Sequence, residues 1–323
     1  MSGIHHSITE LIGKTPLLRL HRLENEYNLN AEIVAKLELF NPNQNVKERI
    51  ALFMIEAAEK TGALKKGDTI VEMSSGNTAI GMAAVAAAKG YKFRAIVQDT
   101  ASKDNLRIIR AFGAEIEPLF SQPIIKKAME EKLDFIQAIH ELLADAAKAQ
   151  NVYTPNQVEN LDNPAAHRAT TGPEIWEDTE GKIDIFVSGA GTGGTLVGTG
   201  AYLKEKNPDI KIVAYQPGVH SRPVETGDFS MPEILGVHPL EIPPLLRGGK
   251  FYDEVIDVEA PDAYQAARAA AKLEGIMVGS SSGAALFASI ALAKRPENKG
   301  KRIVAILADS GSHYLSTPLW ELD

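Results

Sequence analysis

Short apolar runs alternate with stretches of helical periodicity along nearly the whole chain. Apolar runs bounded by turn residues predict strands at 31–37, 68–73, 93–97, 114–117, 152–154, 183–187, 210–215, 254–258 and 303–307. Apolar residues returning every three or four positions predict helices at 48–60, 77–89, 102–112, 123–150, 163–176, 195–206, 262–273 and 282–293. Within 48–60, Ala51, Met54, Ile55 and Ala58 share one face. The 77–89 stretch is rich in alanine with little polar surface, which suits a helix buried between a sheet and other helices. Pro118 is expected to stop the strand before it, and the 123–150 region is expected to break near Lys132. Strand and helix in alternation predict an α/β protein with mostly parallel sheets. No short repeat or low-complexity linker interrupts the pattern, and a domain boundary is expected near 153, giving 1–153 and 154–323.

The pattern is broken most sharply at Ser188-Gly-Ala-Gly-Thr-Gly-Gly-Thr195, which follows one predicted strand and opens the next helix. A glycine loop at a helix N-terminus is suited to an anion, because bare amides point outward and the helix dipole favours negative charge. Thr192 and Thr195 add hydroxyl donors. Gly189, Gly191 and Gly194 match G-x-G-x-x-G, but the next strand ends in Gln216-Pro217, without the acidic residue that holds a ribose. No Lys-Ser/Thr pair follows the glycines, so a triphosphate loop also fails. A single phosphomonoester of a smaller cofactor remains.

Three further segments could present groups to a ligand. Ser74-Ser-Gly-Asn-Thr78 offers amides, hydroxyls and a carboxamide at a helix start, suited either to a carboxylate or to ordinary capping. Gly279-Ser-Ser-Ser-Gly283 stands at another helix start, where capping alone would explain it. Asn41-Pro-Asn-Gln-Asn-Val-Lys47 puts a lysine at a positive helix end, which lowers its pKa only if the group is also buried.

Composition narrows the choice. The net charge of −8 argues against nucleic acid or an anionic membrane as main partner. There is no cysteine, hence no disulfide, thiolate nucleophile or zinc-thiolate site, and no metal is expected. No apolar stretch approaches a membrane span and residues 1–11 hold no apolar signal core, so a cytoplasmic location is expected.

A phosphate cradle, a carboxylate cradle and a helix-start lysine together describe pyridoxal phosphate held by a lysine, with an amino-acid substrate. The chain resembles the cysteine synthase (O-acetylserine sulfhydrylase) and cystathionine β-synthase group of fold-type II pyridoxal-phosphate enzymes. The resemblance rests on Leu11-Ile-Gly-Lys-Thr-Pro-Leu17, Ala35-Lys-Leu-Glu38, Asn41-Pro42 with Val46-Lys47, Ser75-Gly-Asn-Thr78 and Phe112-Gly-Ala-Glu115. It continues through Thr170-Thr-Gly-Pro-Glu-Ile-Trp176, the 189–195 loop, Ser281-Ser-Gly-Ala284 and Asp309-Ser-Gly311 with Tyr314-Leu-Ser-Thr317, in family order. It implies two three-layer α/β domains of the tryptophan-synthase-β type, with about the first 40 residues packing on the second domain.

The resemblance also implies roles. Lys47 would carry the cofactor and act as base at the substrate Cα. Gly191, Thr192, Gly193, Gly194 and Thr195 would hold the phosphate, Asn77 the phenolic oxygen, and Ser281 would face the pyridine nitrogen. Ser74, Ser75, Gly76 and Thr78, with Gln157, would bind the substrate carboxylate. A neutral Ser281 hydroxyl, unlike an aspartate, leaves the ring a weak electron sink. That favours expulsion of a group from Cβ and addition of a nucleophile over transamination or racemisation.

The chain departs from the family pattern at Asn45, Met73, Ala79, Lys103-Asp-Asn105, Gln216 and a 120–132 stretch longer than usual. Gly236-Val-His-Pro-Leu-Glu-Ile-Pro-Pro244 also replaces a glycine-rich segment near the substrate. His238 is there either a substrate-facing group or a surface loop residue. The implied reaction is O-acetyl-L-serine plus sulfide to L-cysteine plus acetate. The alternatives are another donor or nucleophile (O-phosphoserine, serine or cysteine; cystathionine, diaminopropionate-type or H2S-releasing chemistry) and a non-catalytic binding homologue. A nucleotide-dependent dehydrogenase is the weakest. The implied partners are a small amino-acid substrate, a small nucleophile and a second copy in a homodimer, with a serine acetyltransferase tail left open.

Overall fold

The computed structural model describes residues 3–99, 101–222, 234–240 and 243–322. The chain packs as two compact units, one of Met1–Ile12 with Lys47–Asp162 and the other of Gly13–Val46 with Asn163–Asp323. The sequence places a boundary at 153, whereas packing changes unit at Asp162–Asn163 and assigns Gly13–Val46 to the later unit.

The second unit therefore begins early, with β1 (Leu17–Arg19), α1 (His21–Glu26) and β2 (Glu32–Leu37). β1 and α1 are too short to carry a readable period, and neither was expected from the pattern. Two recurring motifs meet here in one buried polar knot. Lys36 is fully buried, its ammonium 2.6 Å from the Thr15 carbonyl and 2.9 Å from Glu174. Thr15 donates to Glu38 at 2.8 Å, Asn41 donates to Glu38 at 2.9 Å, and Asn41 accepts from the Gly13 amide at 2.8 Å. Buried charges of this kind persist only when paired and hydrogen-bonded. The knot fixes the course of the chain up to Val46, whose amide donates to the Ala308 carbonyl at 2.8 Å.

The first unit holds α2 (Lys47–Thr61), β3 (Thr69–Met73), α3 (Asn77–Lys89), β4 (Lys92–Val97), α4 (Lys103–Ala111), β5 (Glu115–Pro118), α5 (Pro123–Glu130), α6 (Phe135–Lys148) and β6 (Val152–Tyr153). Its four strands run parallel in the order β5-β4-β3-β6. Pro118 does not stop β5 but pairs with Val97 inside it, and an edge strand tolerates the missing N–H. The 123–150 region breaks into α5 and α6, with Lys132 at φ 53° between them. The alanine-rich α3 is buried along most of its length. A Cβ on its Gly81 would lie 3.1 Å from backbone atoms of Lys47 and Glu48, so α3 crosses the start of α2 at close range.

The second unit resumes with α7 (Asp162–Ala169), α8 (Thr171–Asp178), β7 (Ile185–Gly189), α9 (Gly194–Lys206), β8 (Lys211–Pro217), β9 (Glu254–Val258), α10 (Ala260–Glu274), α11 (Ser280–Ala293) and β10 (Arg302–Leu307). The single helix expected over 163–176 is two, divided at Thr170 (φ −126°, ψ −70°). The six strands run β1-β2-β10-β7-β8-β9, with β1 antiparallel and the rest parallel. Alternate residues feed opposite faces. Ile33, Ala35, Val187 and Ala305 pack with α10 and α11, while Val34, Phe186, Ile212 and Val304 pack with Ile175, Leu196 and Leu203. Burial on both faces explains the near-continuous apolar runs. Among the described residues, no helix is long and apolar enough to cross a membrane.

Candidate active site

In the second unit, β7 delivers its carboxyl end directly into the glycine loop, and α9 begins at Gly194. Gly193 adopts φ 92°, a left-handed conformation suited to glycine. It is the N-cap of α9 and, among the described residues, no side chain caps the helix. The first amides of α9 are therefore available to an anion. A Cβ on Gly191 would come 2.5 Å from the Gly236 carbonyl oxygen, and one on Gly194 1.8 Å from Asn163 Oδ1. These close approaches forbid any larger residue. Thr192 and Thr195 are half-buried, and their hydroxyls meet Asn163 (2.8 Å) and His167 (3.1 Å) on α7.

Ser281 lies in the first turn of α11, which also lacks a capping side chain among the described residues. Of its neighbours, Ser280 Oγ accepts from the Leu235 amide at 3.0 Å, and the Ser282 hydroxyl is buried without a partner among the described residues. The Ser281 hydroxyl has no protein partner among the described residues, and the residue is only 6% exposed. Tyr215 connects this turn to the glycine loop. Its hydroxyl donates to the Ser281 carbonyl at 2.8 Å, and a Cβ on Gly189 would strike its ring at 2.6 Å. Burial raises the Tyr215 phenol, with Asp309 adding to the effect, so it stays a donor. Nothing in the periodicity singled out Tyr215, Asn163 or His167, since each stands on a different element from the motif it supports.

The 234–240 segment is tied to this same region. His238 donates its amide to the Ala190 carbonyl at 2.9 Å, and Leu240 donates to Gln216 Oε1 at 3.0 Å. The His238 side chain is exposed. Residues 241 and 242 of the expected 236–244 loop lie outside the described residues.

In the first unit, Lys47 is the first residue of α2 and is half-buried between buried Val46 and Glu48. The Gly81 contact brings this turn beside α3, whose start carries Asn77 and Thr78. α3 again begins without a capping side chain among the described residues. The Ser74–Thr78 loop is shaped by the Ser74 amide on the Ile96 carbonyl (3.0 Å) and the Gly76 amide on Ser74 Oγ (3.3 Å). Asn105, one of the departures from the family pattern, donates to the Ser75 carbonyl at 3.3 Å. A Cβ on Gly76 would meet nothing within 4 Å, so the loop faces open space. Gln157 joins this group by accepting from the Thr78 hydroxyl at 2.6 Å. Beneath it Glu72, fully buried, accepts from the amides of Gln157 (3.1 Å) and Met73 (3.0 Å). Burial pushes Glu72 up to about 7, against the pull of those amides.

The residues fit a phosphorylated aromatic cofactor and an amino acid. An uncapped helix with two hydroxyls suits a phosphomonoester, and an unpartnered, nearly buried hydroxyl suits a ring nitrogen. A family profile described as "Pyridoxal-phosphate dependent enzyme" matches residues 8–309. A probable cysteine synthase of Bacillus subtilis (strain 168) is 43% identical over 323 residues, covering 99% of each chain. Solved structures agree in fold. O-ureido-L-serine synthase superposes with a TM-score of 0.84 at 35% identity, covering 99% of this chain and 97% of that one. A cysteine synthase from Entamoeba histolytica superposes at 0.83 and 37% identity, covering 99% and 92%.

Proposed function

Because the chain belongs to the family of pyridoxal-phosphate-dependent enzymes, we propose that it catalyses β-replacement on an activated serine, with O-acetyl-L-serine and sulfide giving L-cysteine and acetate. The observation that carries the reaction type is the neutral, nearly buried Ser281 hydroxyl, where a carboxylate would hold a proton on the ring nitrogen. Similarity to cysteine synthases supports the choice of donor and nucleophile.

When bound, pyridoxal phosphate supplies a conjugated, electron-withdrawing ring next to the substrate Cα. The chain's residues do the rest. The amides of 191–195 and the hydroxyls of Thr192 and Thr195 bind the phosphate. Asn77 would donate to the phenolic oxygen, and Ser281 would leave the ring nitrogen without a negatively charged partner. The Lys47 amine would hold the cofactor and, as a free amine, would take the proton from the substrate Cα. Ser74, Ser75, Gly76 and Thr78 bind the substrate carboxylate, and Gln157 orients Thr78. His238 belongs to the segment that selects the donor.

The departures at 236–244 favour a second reading within the class, in which another donor or nucleophile is used, as the name O-ureido-L-serine synthase indicates for one structural relative. The deciding experiment supplies the purified enzyme with O-acetyl-L-serine, O-phosphoserine, serine and cysteine, each with sulfide. Mass spectrometry identifies the product. Cysteine formed fastest from O-acetyl-L-serine is expected, and inactivity with that donor alone would move the assignment to the second reading. Borohydride reduction and peptide mapping should place the cofactor on Lys47, and label on another lysine would overturn that role. A homodimer and a cytoplasmic location complete the proposal, the first checked by sedimentation and the second by cell fractionation.

A further inference from the structure

The two hydroxyls of the glycine loop are held from behind by one helix. On α7, Asn163 Nδ2 donates to Thr192 Oγ1 at 2.8 Å, and His167 Nε2 lies 3.1 Å from Thr195 Oγ1. Asn163 and His167 are each 1% exposed. The far side of the imidazole is also engaged: His167 Nδ1 lies 2.9 Å from the hydroxyl of Thr171, the fully buried first residue of α8. Glycine makes these distances possible. A Cβ on Gly198, one turn into α9 from Gly194, would sit 2.0 Å from the Pro164 carbonyl oxygen and 2.9 Å from the His167 Cβ.

The direction of the protons follows from the inner end of this chain of groups. Among the described residues, the Thr171 hydroxyl has one partner, His167 Nδ1. A buried hydroxyl that did not donate would leave its proton unsatisfied, at a cost comparable to a lost hydrogen bond. Thr171 therefore donates, Nδ1 accepts, and the neutral ring carries its proton on Nε2. Nε2–H then donates to Thr195 Oγ1, so the proton of Thr195 is turned away from the histidine. Thr192 is in the same state, because its oxygen receives the Asn163 amide. Both half-buried hydroxyls thus reserve their protons for the ligand of the loop, and a phosphate can only accept. The other tautomer would draw the Thr195 proton toward Nε2 and present a lone pair to the phosphate.

We infer that Asn163, His167 and Thr171 are positioning residues that set the polarity of the loop hydroxyls and make the glycine loop a donor-only cradle. The inference rests on reading that loop as the cofactor-phosphate site. It adds a layer that the glycine motif does not contain, and it assigns a use to a buried histidine and two buried polar neighbours.

The test uses the holoenzyme. With 15N-labelled histidine, two-bond proton–nitrogen correlations at pH 8 report the tautomer, and His167→Gln assigns the signal among the 8 histidines. An unprotonated Nδ1 with a protonated Nε2 is expected; a protonated Nδ1 overturns the inference. A cofactor-affinity cycle gives a second readout. Thr195→Val and His167→Phe should each weaken pyridoxal phosphate binding about ten- to a hundred-fold, as for a hydrogen bond to a charged group. The double variant should be no weaker than either single one, because the histidine acts through the threonine. His167→Gln, which can still donate, should recover most of the affinity and the 31P shift of the bound phosphate. Additive losses, or a glutamine variant as weak as phenylalanine, would reduce His167 to core packing and refute the inference. A wild-type protein that holds no pyridoxal phosphate would sink the functional reading itself, whereas bound cofactor with the wrong tautomer sinks the inference alone.

Discussion

Glu72 shows how far one residue can report on the ground beneath the 74–78 loop. It is a buried carboxylate whose two oxygens accept the Met73 and Gln157 amides. Its folded value, about 7, lies above the ordinary 4.5. The sign follows directly: the stability linked to this group is full below pH 4.5 and is lost as pH rises through about 7, because the folded state holds the proton longer. Between pH 5 and pH 8 this amounts to roughly 2–3 kcal/mol. Glu72→Gln should remove that slope, so that the variant gains on the parent by this amount as pH rises. Urea denaturation at the two values measures it, and parallel profiles would mean that Glu72 ionises as an ordinary carboxylate. Ser281 makes a complementary statement about reactivity. Ser281→Asp would place a carboxylate where the neutral hydroxyl stands, hold a proton on the ring nitrogen and favour simple Cα exchange over loss of the Cβ group. Deuterium uptake at Cα from heavy water, compared with acetate release from O-acetyl-L-serine, gives the ratio. A ratio unchanged from the parent would show that the hydroxyl does not govern the reaction type.

Elements carry the specificity argument. The 234–240 segment is pinned at Ser280 through Leu235, at Ala190 through His238 and at Gln216 through Leu240. Gln216, which departs from the family's usual glutamate, also donates to Asp257 at 2.7 Å on the neighbouring strand. A glutamate there would still accept from Leu240 but would face Asp257 with a like charge. Gln216→Glu should therefore loosen the segment, changing relative kcat/KM among donors about three- to ten-fold while cofactor affinity holds within about two-fold. Loss of the cofactor, or an unaltered donor order, would separate this segment from donor choice. The same elements mark what the pattern of residues could and could not disclose. Strands such as β3 and β10 and the helix α3 were legible because burial writes a period into the sequence. β1 and α1 were not, since a three-residue edge strand and a six-residue helix hold too few residues to repeat. The glycine loop announced itself through residues that permit close approach. Tyr215, Asn163 and His167 did not, because a buried polar group that orients a neighbour has no local signature apart from the partner it meets in space.

At the scale of the whole chain, the order of residues and the order of assembly disagree. The second unit is built from Gly13–Val46 and Asn163–Asp323, with the first unit's main segment inserted between them. β2 comes early in the chain yet lies inside the sheet, paired on one side with β1 and on the other with β10 from Arg302 to Leu307. Alternation of strand and helix predicted the class of fold from local periods, but a pairing across that separation leaves no period to read. It has a measurable consequence. A chain beginning at Lys47 would retain the lysine, the 74–78 loop, the glycine loop and Ser281. It would lose Leu20, Leu23, Ile33, Ala35 and Leu37 from the buried core and leave β10 with an unpaired, apolar edge. Each large core side chain removed costs about 2–5 kcal/mol, so the sum exceeds the whole stability of an ordinary domain. Such a chain should aggregate on expression through the bare edge of β10, and adding the missing segment as a separate peptide during refolding should restore soluble protein and cofactor absorbance. If the shortened chain were soluble, melted cooperatively and bound pyridoxal phosphate as the full chain does, the early segment would be an accessory and not part of the core of the second unit.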